Sequence, residues 1–123
     1  MRTTINILLA AALALPQLAS ASPDEELRQQ SLRVWYHGAE ATIAARDLMT
    51  ARAEMTIAGN EYDKAMYRDR DTKRAAEAAM RYQRALRDER EAQRRLDAEQ
   101  AALAQAREAF DQIARVEANR KAG

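Results

Sequence analysis

The chain holds a single histidine, His37, and no cysteine. His37 and Glu40 stand three residues apart, a spacing that puts two metal ligands on one helix face. A metal site takes three or four ligands, and no second His or Cys can complete this one. Met49, Met55, Met66 and Met80 carry soft thioethers, but their scattered spacing suits adaptable packing better than metal capture. The carboxylate pairs Glu25-Glu26 and Asp88-Glu89 are neighbours on exposed helix with no pocket to separate their acidities, so they do not form an acid and base couple. No Gly-rich loop can cradle phosphate, and no Ser has a base in reach. The chemistry points to a chain that is not an enzyme and takes no cofactor and no metal.

Binding chemistry is better represented. Residues 22–63 carry 8 acidic and 4 basic side chains, residues 64–95 carry 6 and 11, and residues 96–123 carry 5 and 4. A basic middle segment that also bears Tyr62, Met66 and Tyr67 can meet an anionic surface, with Tyr67, Arg70, Arg74, Arg81 and Arg84 as the candidate contacts. The competing use of that charge is a solvated face laced by i, i+4 ion pairs such as Glu77–Arg81 and Glu91–Arg95. No recognition motif accompanies the charge, so nucleic acid is not an expected partner. A second cluster, Trp35-Tyr36-His37-Gly38, offers Trp35 and Tyr36 as anchors for a protein partner. The alternative for Trp35 is packing against Leu103, Phe110 or Val116, because a sparse core needs its one Trp.

The elements that must carry these residues follow from composition. Hydrophobic residues make up 47% of 123, but 29 of those residues are alanine. Beyond Ala21 only 21 large apolar side chains remain, too few for a thick core and without the Val/Ile-rich strands of a sheet. The opening residues read as a Sec-type signal peptide over 1–21: Arg2, the apolar stretch Ile5–Leu15, Pro16, then Ala19-Ser20-Ala21 for cleavage. That stretch is too short to span a bilayer, and the mature chain contains no transmembrane run. The expected destination is the periplasm, or secretion.

From Ser22 onward the pattern is helical. Ser22 is an N-cap, Pro23 suits the first helical position, and Asp24, Glu25 and Glu26 favour the positive end of the helix dipole. Leu27, Val34, Ala41, Leu48, Met55 and Tyr62 recur every seven residues, with Ala44, Ala51, Ala58 and Ala65 three places after the later ones. A second frame places Ala75, Tyr82, Leu96, Leu103 and Phe110 at one position, and Ala78, Ala85, Ala92, Ala106 and Ile113 at the other. The frames are out of phase, so a turn must separate them. Gly59-Asn60 has the better turn chemistry. Asp69-Arg70-Asp71-Thr72 gives the better pairing, with Leu27 facing Ile113, Val34 facing Ala106, Leu48 facing Ala92 and Tyr62 facing Ala78. The expectation is an all-α fold over 22–123, a long antiparallel α-helical hairpin with a coiled-coil-like, Ala-rich seam. Its arms run over about 23–68 and 72–119, and the alternative turn lies at 59–60.

Two helices that bury one stripe each leave much surface uncovered, which suits self-association as a homo-oligomer or docking on a protein partner in the cell envelope. The expected role is that of an exported interaction or scaffold protein. A periplasmic holdase-type chaperone is the alternative, although the Leu-Thr-x-x-Gln repeats of small helical periplasmic chaperones are missing.

Overall fold

A computed structural model describes residues 22–123. The signal-peptide reading of 1–21 falls outside the described residues. The chain forms a helical hairpin: helix α1 (Pro23–Asp63) continues into a π-helical segment, Lys64–Arg68, and helix α2 (Thr72–Ala122) packs back against α1. Among the described residues there is no strand.

The ends of the helices have identifiable causes. At the start of α1 the Glu25 amide donates to Ser22 Oγ at 3.4 Å and the Glu26 amide to the Ser22 carbonyl at 3.0 Å, an N-cap arrangement. α1 runs unbroken through Gly59 and Asn60, and no described glycine has a positive φ, so the alternative turn at 59–60 is not formed. Instead α1 widens over Lys64–Arg68, where the Asp69 amide reaches the Lys64 carbonyl at 3.0 Å. Arg70 then takes φ of 50°, the one non-glycine residue in the left-handed region among those described. This reverses the chain and lets the Asp71 amide bond the Ala65 carbonyl at 2.8 Å. Asp71 then caps α2: its Oδ1 accepts from the Arg74 amide at 3.1 Å and its carbonyl from the Ala75 amide at 3.0 Å.

By its internal contacts the described chain divides into two units, one made of 22–39 with Glu99–Gly123 and the other of Glu40–Ala98. In the Glu40–Ala98 unit the core is almost wholly alanine: Ala44, Ala51, Ala58 and Ala65 from one arm, and Ala75, Ala78, Ala85 and Ala92 from α2, with Leu48 as the one large buried side chain. Met55, Tyr62, Tyr82 and Leu96 flank this row half-buried. Tyr82 covers Gly59, its ring carbons standing 4.0 Å from where a Cβ would be. In the other unit Ala106 is buried, Leu27, Val34, Leu103, Phe110 and Ile113 are half-buried, and Glu117 is a buried acid that accepts from Arg120 at 3.2 Å. These are the heptad positions of both frames. Small side chains at every second core position let the helix backbones approach closely, so little apolar volume suffices to close the seam.

Candidate functional site

The cationic middle segment divides by heptad position. Arg74, Arg81 and Arg95 project from one edge of α2 and are held by carboxylates. Arg74 meets Asp69 at 3.5 Å, Arg81 meets Glu61, and Arg95 reaches Asp47 at 3.3 Å and Glu40 at 4.0 Å. Arg52 of α1 reciprocates, reaching Glu89 at 3.7 Å and Gln93 at 3.3 Å. The expected ladders Glu77–Arg81 and Glu91–Arg95 are absent, because both arginines turn across the seam toward α1. The carboxylates opposite them lie beside a desolvated alanine row, whereas Glu77 and Glu91 stand on the solvent side.

The candidate contacts therefore separate by role. Arg74 and Arg81 are tied to their own hairpin, while Tyr67, 77% exposed, and the exposed Arg70 and Arg84 project into solvent. Lys73, Arg87, Arg90 and Arg94 also face outward and form no ion pair among the described residues. All of these belong to the Glu40–Ala98 unit.

Trp35 and Tyr36 belong to the other unit. Trp35 is 62% exposed and Val116 is exposed too, so the packing alternative for the single tryptophan is overturned. Val34 and His37 take the two seam positions, and Trp35, one residue past Val34, is carried about 100° around the helix and out of the seam. Tyr36 is half-buried and sets its ring edge-on to His37, with centroids 5.1 Å apart at 68°. The His37 Nδ1–H donates to Glu99 Oε2 at 2.7 Å, both side chains being about a quarter exposed. Among the described residues no group of three or more His, Cys, Asp or Glu is placed to hold a metal ion.

Glu89 and Glu99 are the partners that sequence reasoning passes over. They occupy the places where the second heptad frame skips an apolar residue, between Tyr82 and Leu96 and between Ala92 and Ala106. The gaps were the available signal, since an acid at a seam position needs a cation or imidazole from the facing helix.

The outward faces of the two helices differ in chemistry. Within the Glu40–Ala98 unit, α1 presents Thr42, Ile43, Met49, Thr50, Thr56 and Ile57, joined by Ala53 and Asn60, with Arg46 and Glu54 as the charges that form no ion pair among the described residues; all are exposed. Thr56 turns its hydroxyl back to the Arg52 carbonyl at 3.1 Å, which leaves its methyl group outward. The corresponding face of α2 from Lys73 to Arg94 is dominated by charge: Lys73, Glu77, Arg84, Arg87, Arg90, Glu91 and Arg94. In the other unit α1 again turns large apolar groups outward, Leu32 at 49% exposed beside Trp35. A face kept in water needs no such restraint in charge, whereas a face that meets protein does. No helix among the described residues is long and apolar enough to cross a membrane. No family model, no curated protein and no solved structure matches the chain.

Proposed function

We propose that this chain is an exported, non-catalytic interaction or scaffold protein of the cell envelope, acting in the periplasm by docking on an envelope assembly or by self-association. The observation that supports it is the outward face of α1. Ile43, Met49 and Ile57 stand exposed with Arg46 and Glu54 as the unpaired charges among them, while α2 keeps a more heavily charged face toward solvent. Interface centres lose charge and gain aromatic and large apolar groups, and Trp35 adds an anchor of the favoured kind in its own unit. The basic outward side of α2, with Arg84 and its neighbours, supports a second contact with an anionic surface. The test is affinity capture from chemically crosslinked native envelope with wild-type protein and with Met49→Asp and Trp35→Ala variants. Capture of the same partner or of further copies, lost in the variants, supports the reading; identical capture by all three removes it.

A holdase-type chaperone is the second reading. It is favoured by the exposed, adaptable side chains Met49, Met80 and Tyr67. Suppression of client aggregation at near-equimolar ratio would establish it, and no effect at large excess would dismiss it.

A further inference from the structure

We infer that the occupant of the α1 strip formed by Ile43, Arg46, Thr50, Glu54 and Ile57 is the same strip of a second copy, packed antiparallel about a two-fold axis at Thr50. The inference rests on the interaction reading above and names its partner. Arg46 and Glu54 carry it. Both are exposed, and neither forms a hydrogen bond or ion pair among the described residues, although Asp47, Arg52 and Glu61 beside them are engaged across the seam. They lie four residues to either side of Thr50, so an antiparallel copy centred there brings Arg46 level with the partner's Glu54, and Glu54 level with the partner's Arg46. The same operation brings Ile43 level with the partner's Ile57, twice, and Thr50 onto its own copy. A parallel pair in register would instead stack Arg46 on Arg46 and Glu54 on Glu54, which repel. A foreign partner must supply both apolar groups to meet Ile43 and Ile57 and a correctly spaced acid and base; the second copy supplies both by symmetry.

The contact is short, 15 residues or about 22 Å of helix at 1.5 Å per residue. Two such faces bury on the order of 1,000 Å² in total, at the lower edge of specific interfaces, so self-association on the order of 10–100 µM is expected.

Because the chain has no cysteine, single cysteines report the geometry without background. Thr50→Cys should form a disulfide-linked dimer under mild oxidation. Ile43→Cys and Ile57→Cys should each fail to link alone, being about 21 Å from their own copies, and should link when mixed. In sedimentation of the full-length protein, Arg46→Glu and Glu54→Arg should each weaken association about tenfold or more, and the double exchange should restore it. A folding defect cannot produce that restoration. A wild-type chain monomeric to about 500 µM, self-linking of Ile57→Cys, or indifference to Arg46→Glu would each overturn the two-fold pairing. If the chain is monomeric yet captures an envelope protein that Met49→Asp loses, the second copy is wrong and the interaction reading stands; if it captures nothing, both fail.

Discussion

Gly59→Ala and Arg70→Gly test the position of the reversal with opposite signs for the two placements of the turn. In the structure Gly59 lies inside α1 without a positive φ, and a Cβ there meets only the Tyr82 ring carbons at 4.0 Å, ordinary van der Waals contact. Alanine therefore gains the helix-propensity difference of about 1 kcal/mol with no steric cost. Arg70 holds φ of 50°, a conformation that costs an L-residue about 1–2 kcal/mol. Glycine removes that cost and returns about 0.5–1 kcal/mol through its freer unfolded chain, a net gain of about 0.5–1 kcal/mol. Each variant should raise the urea midpoint without altering the slope, or raise Tm by about 4–6 °C, in far-ultraviolet circular dichroism at low protein concentration. Were the turn at Gly59-Asn60, Gly59→Ala would force alanine into a left-handed cap and Arg70→Gly would place glycine in mid-helix, each destabilising by about 1 kcal/mol. Loss of stability in either variant would refute the reasoning.

Other expectations follow from single contacts. Ala44→Leu, at the most buried position in the seam, should destabilise by about 1–3 kcal/mol through overpacking, checked by thermal melting. Asp71→Ala removes the side-chain cap on the Arg74 amide and should cost about 1 kcal/mol in urea unfolding. Glu99→Ala should cost about 1 kcal/mol by leaving the partly covered His37 without its acceptor, while the double change His37→Leu with Glu99→Leu should be near neutral or stabilising. Arg95→Ala breaks two contacts, but its side chain is 45% exposed, so a double-mutant cycle with Asp47 should give no more than about 1 kcal/mol.

The seam was legible because alanine at a fixed heptad position has one physical use, close helix approach, and both frames carry it. The turn was legible through packing rather than through turn chemistry. Gly59-Asn60 has the better cap residues, but reversing there would leave Leu96, Leu103, Phe110 and Ile113 without facing positions on α1. What stayed hidden was which way long side chains turn. Arg81 and Arg95 have carboxylates four residues earlier on their own helix and others across the seam, and only the helix rotation chooses the latter. The same rotation decides Trp35, which the count of large residues argued into the core and the heptad position sends outward. Glu89 and Glu99 stood in plain view as gaps in the apolar pattern, but their partners Arg52 and His37 lie 37 and 62 residues away in sequence, beyond what periodicity within one helix can connect. The contrast between the two outward faces is a property of rotation as well, since it emerges only when the positions are sorted by the seam they turn away from.

The central claim is that contact with protein is made through the sparsely charged outward face of α1 and not through the heavily charged outward face of α2 in the same unit. Site-specific photocrosslinking in intact envelope, with the probe placed in turn at Met49 and at Gln83, both exposed, tests it most directly. The account predicts a discrete crosslinked species from Met49 and none of comparable yield from Gln83. Equal labelling from both positions, or labelling from Gln83 alone, would contradict it.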